Sequence, residues 1–213
     1  MLVYHFLHAR YGLEDLRERR LKISRIMDLN DPFEFLGVNL SDRPFRSALR
    51  KTKQELSDEH GILCFSKSWR NPVLWGHYAD RHRGLCLGFE IPRGVLGKVR
   101  YLDSRWPVPD VFDMRFVKRL LYTKFSHWRY EQEYRAFVNL DSQIDGHYFM
   151  DFGSSLRLKR VIVGDQSAIS RSDVAGAIKG AQSGVAVFKA RAAFQSFEVV
   201  RNKNEAMCNR EHR

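Results

Sequence analysis

Short runs in which apolar and polar residues alternate recur along this 213-residue chain. Alternation with a period of two is typical of β-strands that are buried on one face, whereas wider spacing indicates helices. The runs vary in length and follow one another without a repeat. The predicted strands cover residues 2–7, 21–24, 61–66, 84–90, 98–102, 134–138, 147–152, 158–163, 185–189 and 194–200.

Helices are predicted between these strands from their caps and from apolar spacing. Asn71 before Pro72 is a typical helix start and predicts a helix over residues 73–80. Asp110, followed three residues later by Asp113, predicts a capped helix that carries Phe112, Phe116, Leu120 and Leu121. Further helices are predicted over residues 12–20, 44–56 and 172–180.

The order of these elements predicts an α+β fold of mixed, mostly antiparallel sheets flanked by short helices. It lacks the regular strand and helix alternation of a doubly wound parallel sheet. The glycine patterns of P-loops and dinucleotide-binding folds are also missing from the sequence. We expect one domain over residues 1–201, followed by a polar tail over residues 202–213.

Composition narrows the class of protein. Hydrophobic residues make up 44% of the chain and aromatic residues 13%, which is typical of a folded globular protein. The sequence predicts no membrane partner and a cytoplasmic protein, because it has neither an apolar run near ~20 residues nor a signal peptide at its start. The three cysteines, Cys64, Cys86 and Cys208, show no metal-binding spacing, so we expect free thiols and no metal site.

The chain is strongly basic, with a formal net charge of +11. Such a charge attracts nucleic acid, a phosphorylated ligand or another anionic partner. The charge is diffuse, and residues 157–213 carry eleven Lys and Arg against five Asp and Glu. A basic surface without a dedicated partner remains the alternative.

Candidate chemistry is concentrated in residues 128–135, which read WRYEQEYR. If these residues begin a strand, Glu131 and Glu133 share a face and point into one pocket. Paired carboxylates suit a reaction in which a sugar carbon develops positive charge. If the segment is instead helical, the same charges form ordinary pairs four residues apart. The apolar run that follows favours a strand and leaves Arg135 to anchor one of the glutamates.

Other candidate residues each have a structural alternative. His5 lies inside the first predicted strand, where a histidine commonly holds a backbone group. Ser66 ends another strand, where serine commonly forms a turn. Trp75 and Tyr78 lie on one helix turn, where they either cover the sheet or form a surface on which a flat heterocycle stacks.

Several separated segments together resemble a known family. They read NDPFE from Asn30, CFS from Cys64, WGHYA from Trp75 and YEQEYR from Tyr130. In this order they resemble the bacterial domain-of-unknown-function family 2971, over residues 1 to about 165. That resemblance implies a family and supplies no function.

The chain also resembles the ADP-ribosyltransferase fold, whose enzymes use NAD as a substrate. That resemblance implies that Glu133 is the catalytic glutamate and Glu131 its accessory. It places His5, Ser66 and Tyr78 at the NAD site, and Trp75 and Asn30 are assigned there with them. No Ser-Thr-Ser triplet is present, which departs from the pattern of that fold.

The resemblance implies an enzyme that cleaves NAD and transfers ADP-ribose to a macromolecular acceptor such as DNA or RNA. Families of this kind include toxins and antiphage effectors, so such a role is expected here. The alternative is a non-catalytic module that binds nucleic acid or a protein through its basic surface. A nuclease is the least favoured hypothesis, because no carboxylate cluster in the sequence is spaced for two metal ions.

Overall fold

The computed structural model describes residues 1–179 and 184–204, and within them the chain mixes short helices with mostly antiparallel strands. The predicted α+β class is confirmed, while an ADP-ribosyltransferase-like arrangement stays a prediction. The described strands are β1 (Leu2–Leu7), β2 (Arg20–Arg25), β3 (His60–Ser66), β4 (Leu85–Glu90), β5 (Gly97–Lys98), β6 (Arg100–Leu102), β7 (Thr123–Phe125), β8 (Glu133–Asn139), β9 (Gln143–Ile144), β10 (His147–Asp151), β11 (Arg157–Val163), β12 (Ala186–Ala192) and β13 (Val199–Arg201).

Helices fill the intervals between the strands. The described α-helices are α1 (Ala9–Glu18), α2 (Arg43–Glu59), α3 (Pro72–Tyr78), α4 (Met114–Leu121) and α5 (Arg171–Ala177). Within the same described residues, 3-10 helices span Ile26–Asp28 and Ser126–Glu131. In the described part of the chain, no helix has the length and apolar character needed to cross a membrane.

The chain divides into two compact units. The first unit consists of Met1–Leu21, Phe65–Arg93 and Met150–Arg213, as far as these are described, and the second of Lys22–Cys64 and Gly94–Phe149. The two units are regions in which the residues pack closely together, and this division does not test whether residues 1–201 form one domain. The expected single domain therefore stays a prediction.

The sheet of the first unit is built around β4. Its neighbours β1 and β11 both run antiparallel to it, with Tyr4 opposite Gly88 and Val161 opposite Leu87. β12 is parallel to β11, and β13 pairs antiparallel with β12 at the edge. All residues of β4 except Glu90 are buried, which agrees with its continuous apolar sequence.

Helix α3 covers part of the first unit's core. Asn71 caps it, since its side chain accepts a hydrogen bond from the Val73 amide at 2.9 Å, and Pro72 occupies the first turn. This start confirms the prediction from the Asn-Pro pair. Trp75 projects from α3 into a buried cluster that includes Cys86 and Ile162.

The second unit contains a small sheet and its own core. Residues of β2 pair with β3, with Ser24 opposite Ile62, and β8 pairs with both β3 and β5. β6 and β7 form a separate parallel pair with Tyr101 opposite Lys124. The core residues lie in and around α2 and α4, and they are Phe35, Val38, Leu49, Val117 and Leu120.

The predicted start of α4 was wrong by about one turn. The cap is Asp113, whose side chain accepts a hydrogen bond from the Phe116 amide at 2.9 Å. Asp110 and Phe112 therefore precede the helix. Local spacing could not separate the two aspartates, because each is followed by apolar residues at helical intervals.

The end of the chain differs from the predicted pattern. The segment 194–198 is outside any strand, and β13 begins only at Val199. The predicted helix over residues 172–180 corresponds to α5, while Gly180 lies outside the described residues. Cys208 and residues 205–213 of the predicted tail also lie outside them.

Candidate functional site

Glu131 and Glu133 belong to two different elements of the second unit. Glu131 ends the 3-10 helix and Glu133 begins β8, with Gln132 between them in the left-handed conformation at φ 47°. The expectation that both side chains share one strand face was therefore wrong. A continuous helix through Arg135 is also wrong, because Glu133 to Arg135 are extended.

The ammonium group of Lys124 nevertheless brings the two carboxylates together. Lys124 Nζ lies 2.5 Å from Oε2 of Glu131 and 3.4 Å from Oε2 of Glu133. It also lies 4.6 Å from the ring centre of Trp128, within the range of a cation–π contact. Glu131 and Glu133 are only 5% and 4% exposed, so both are held inside the unit rather than in solvent.

Arg135 connects this pair to a third glutamate, Glu34. Its Nη1 and Nη2 donate to the two carboxylate oxygens of Glu34 at 2.5 and 2.9 Å. Its Nε and Nη2 donate to the two oxygens of Glu133 at 2.8 and 3.1 Å, and Nη1 also donates to the Leu121 carbonyl. The prediction that Arg135 anchors one of the glutamates is confirmed. We call Glu34, Lys124, Glu131, Glu133 and Arg135 the buried ion cluster.

The buried ion cluster carries more acid than base. Three glutamates face one lysine and one arginine, which leaves a formal surplus of one negative charge. Burying unbalanced charge costs free energy unless hydrogen bonds hold it, and here both cations donate several. A site with fixed excess negative charge favours a ligand, or a transition state, that carries positive charge.

Electrostatics keep Glu133 and Lys124 ionised at neutral pH. Burial alone would raise the pKa of Glu133, but the charges of Arg135 and Lys124 lower it from 4.5 to about 2. Burial alone would lower the pKa of Lys124, but the carboxylates of Glu133 and Glu131 raise it above its ordinary value. Glu133 is therefore an anion at neutral pH, suited to stabilising positive charge rather than to donating a proton.

Two neutral groups complete the surroundings of Glu133. The Tyr101 hydroxyl accepts a hydrogen bond from the Glu133 amide at 2.8 Å. Burial, opposed in part by that hydrogen bond, raises the pKa of Tyr101 to about 12. Burial and the Glu133 carboxylate also raise the pKa of the Cys64 thiol, so Cys64 is a neutral hydrogen-bonding partner.

A cavity of about 250 Å³ lies beside the cluster in the second unit, and Lys124 lines it. Its walls are mainly apolar, with a few polar groups, which is typical of small-molecule sites. The Arg105 guanidinium lies 5.5 Å from the Phe33 ring centre at this cavity. The lining residues are Phe33, Leu36, Gly37, Leu102, Asp103, Ser104, Arg105, Thr123, Lys124 and Phe125.

The segment 30–34 links the cavity to the cluster, because Phe33 lines the cavity and Glu34 belongs to the cluster. Asp31 is buried and holds the turn by accepting a hydrogen bond from the Phe33 amide at 2.9 Å. Its other carboxylate oxygen, Oδ2, meets no hydrogen-bond partner among the described residues. Asn30, predicted to bind NAD, is exposed in the same segment.

His5 and Ser66 lie in the first unit, on neighbouring strands. Ser66 is opposite Tyr4 in the pairing of β1 and β3, and the His5 ring contacts Phe65 edge to face at 5.8 Å. Ser66 Oγ donates to the Ser68 carbonyl at 2.9 Å and accepts from the Ser68 amide at 3.2 Å. This is the turn-forming role considered for Ser66 from the sequence.

Trp75 and Tyr78 also lie in the first unit but differ in exposure. Trp75 is fully buried, stacks against the His82 ring and donates from Nε1 to the Trp69 carbonyl at 2.6 Å. It is a core residue and has no exposed ring face on which a ligand could stack. Tyr78 is partly exposed and contacts the His77 ring edge to face.

Two members of the cluster, Glu34 and Lys124, had no assigned role in the sequence. Glu34 closes the NDPFE motif, and Lys124 follows the apolar run at the end of α4. The one feature of the sequence that could have identified these two residues is a charged residue next to apolar positions that are expected to be buried. That signal does not reveal the partner, because Glu34 and Arg135 are far apart in the chain.

No protein-family model matches the chain, and no curated protein or solved structure matches it either. The resemblances to family 2971 and to the ADP-ribosyltransferase fold therefore stay predictions.

Proposed function

We propose that the chain is an ADP-ribosyltransferase-like enzyme that cleaves NAD and transfers ADP-ribose to a macromolecular acceptor. One observation carries this proposal: the acid-rich buried ion cluster adjoins a ligand-sized cavity through Lys124. The resemblance to ADP-ribosyltransferases supplies the substrate class, and the cluster supplies a chemical reason for it.

The charge of the cluster suits the cleavage of NAD. The nicotinamide ring of NAD is cationic, and the ribose carbon becomes cationic as the ring leaves with the electron pair of the broken bond. The excess negative charge of the cluster stabilises both the cationic ring and the cationic ribose carbon. It does so efficiently because the charged groups are already in place and need no reorganisation during the reaction. The acceptor then forms a bond to that carbon and loses a proton, for which Glu131 is the proposed base.

The cavity suits one end of NAD rather than the whole molecule. Its volume of about 250 Å³ lies just below the ~300–1,000 Å³ of sites for drug-sized ligands. Nicotinamide with its ribose fits this size, and the apolar walls suit a flat ring. Arg105 supplies positive charge at the cavity for a phosphate group.

The proposal is tested with NAD labelled in the adenylate phosphate, incubated with DNA, RNA or cell lysate. Nicotinamide release and label transfer are measured separately. We expect Glu133→Gln and Glu131→Gln to lower both rates by at least about a hundredfold. Equal label transfer by the wild-type protein and Glu133→Gln would contradict the proposal.

Two controls separate chemistry from stability. Glu55→Gln changes an exposed glutamate of the same unit and should leave the rates unchanged. Ser104→Trp fills the cavity while leaving every residue of the ion cluster in place, and it should abolish nicotinamide release, whereas Ser47→Trp on the exposed face of α2 should not. Unfolding curves for each variant show whether a lost rate reflects a lost fold.

A second candidate function is non-catalytic binding of nucleic acid. It is favoured by four basic side chains that line one cleft of the first unit, namely Arg171, Lys189, Arg201 and Lys203. Binding of nucleic acid without any release of nicotinamide would support this function over the enzyme.

A further inference from the structure

Two phenylalanines in the loop between β12 and β13 are almost fully exposed. Phe194 is 89% exposed and Phe197 is 99% exposed. The loop is tied at its base, since the Ala193 amide donates to the Glu198 carbonyl at 2.9 Å and the Val199 amide donates to the Arg70 carbonyl at 2.8 Å. Large apolar rings held out in water by a closed loop indicate a binding surface.

The surroundings of this loop are basic. Residues 184–204 contain four Lys and Arg and a single acid, Glu198. Glu198 is paired with Arg70 at 2.7 Å, so its charge is balanced. The Arg191 guanidinium lies 4.1 Å from the ring centre of Phe194, which adds a cation beside an exposed ring.

A basic cleft of about 250 Å³ lies in the same unit, next to the other end of β13. Among the described residues it is lined by Arg171, Lys189, Arg201 and Lys203, together with Asn202 and apolar residues, and by no acidic side chain. Two of the cations are held in place: Lys189 Nζ donates to the Ser167 carbonyl at 3.0 Å, and the Arg201 guanidinium packs 5.2 Å from the Phe188 ring centre. Positioned cations without a carboxylate suit phosphate groups.

We propose that the β12–β13 edge of the first unit binds single-stranded nucleic acid. The cleft binds backbone phosphates, and Phe194 and Phe197 stack on unpaired bases. The three-residue strand β13 separates the loop from the cleft by about 10 Å at ~3.3 Å per residue, so a few nucleotides reach both.

The pairing of aromatic and basic groups selects this partner over two others. An acidic protein would form ion pairs with the basic side chains, but it offers no flat ring on which the two exposed phenylalanines could stack. A duplex offers phosphates but keeps its bases stacked inside, away from the rings. Single strands offer both phosphates and open base faces.

This inference concerns the first unit alone and needs no NAD chemistry. The proposed enzyme activity rests on Glu131 and Glu133 in the second unit. Binding and turnover are measured separately, so one proposal can fail while the other holds.

The test is fluorescence anisotropy with labelled single-stranded RNA and DNA of equal length, titrated with the full chain at several salt concentrations. We expect both strands to bind, with affinity falling as salt rises. A blunt-ended duplex and polyglutamate serve as competitors and should displace the strands poorly. The RNA and DNA arms show whether a 2′-hydroxyl contributes.

The variants address rings and charges separately. Phe194→Ala and Phe197→Ala should each weaken binding between about fivefold and about 150-fold. Lys203→Ala should lower the steepness of the log–log salt dependence by about 0.7. Val111→Ala and Lys51→Ala change an exposed apolar residue and an exposed lysine in the second unit, and both should leave binding unchanged.

Three results would overturn the proposal. The first is no binding of either strand at low salt. The second is binding that the two phenylalanine variants leave unchanged. The third is displacement by polyglutamate or duplex as effective as that by unlabelled single strands, which would indicate charge attraction without base stacking.

Discussion

Arg135 and Glu34 lie 101 positions apart in the chain, yet Nη1 and Nη2 of Arg135 contact both carboxylate oxygens of Glu34. The same guanidinium contacts both oxygens of Glu133, so one side chain holds the two acids in a fixed arrangement. Because all three groups are buried, their mutual contacts replace the water that each has lost.

Removing this guanidinium should be strongly destabilising. Arg135→Met keeps the length of the side chain but leaves two buried carboxylates facing each other, and we expect a loss of about 3–5 kcal/mol in unfolding free energy. Urea unfolding followed by circular dichroism measures it. Arg83→Met removes an exposed arginine whose partner Asp80 is 3.4 Å away and should cost less than about 1 kcal/mol. Equal losses in the two variants would contradict the structural role of Arg135.

Glu133 should make stability depend on acid pH. Its pKa is about 2 in the folded protein against an ordinary 4.5, so its contribution is complete above about pH 4.5 and is lost as the pH falls towards 2. The loss is on the order of 3 kcal/mol. Unfolding free energies measured from pH 2 to 6 for the wild-type protein and Glu133→Gln test this. The wild-type curve should be steeper between pH 2 and 4.5, and parallel curves would disprove the assignment.

The Tyr101 hydroxyl should stabilise the start of β8. Tyr101→Phe removes the acceptor for the Glu133 amide, and an unsatisfied buried donor costs about 1–3 kcal/mol. Tyr148→Phe is a matched control, since its hydroxyl accepts only from the exposed side chain of Gln143 among the contacts described. We expect the control to change the unfolding free energy by less than about 0.5 kcal/mol. A similar change in both variants would argue against the buried contact.

The two aspartates before α4 should differ in their effect on stability. Asp113→Ala removes the cap of the helix and should cost about 1 kcal/mol. Asp110→Ala lies before the cap and should cost less than about 0.5 kcal/mol. Chemical unfolding of the two variants decides which residue begins the helix, and the reverse order would place the cap at Asp110.

The local signals in the sequence were sufficient for many elements and insufficient for the site. Asn71 and Pro72 predicted α3 because a cap depends only on its neighbours. The pairing of Glu34 with Arg135 could not be predicted, since alternation along a strand does not identify the strand or loop beside it.

The geometry of the glutamate pair depended on one unusual residue. Gln132 adopts a positive φ, which glutamine rarely does, so no local pattern indicated that the chain changes direction between Glu131 and Glu133. The pair was still recognised, because the number of residues between two carboxylates limits their separation in any conformation. Their common contact with Lys124 required the fold.

Each unit carries one described cysteine, Cys64 beside the ion cluster and Cys86 in the core of the first unit. A thiol reagent reacts with the buried Cys86 only when its surroundings open, whereas its reaction with the partly exposed Cys64 follows the accessibility and the pKa of that thiol. With Cys208 replaced by serine, the two rates report on the two units independently. Slower labelling of Cys64 alone, on addition of a ligand, would place that ligand in the second unit without any assay of activity.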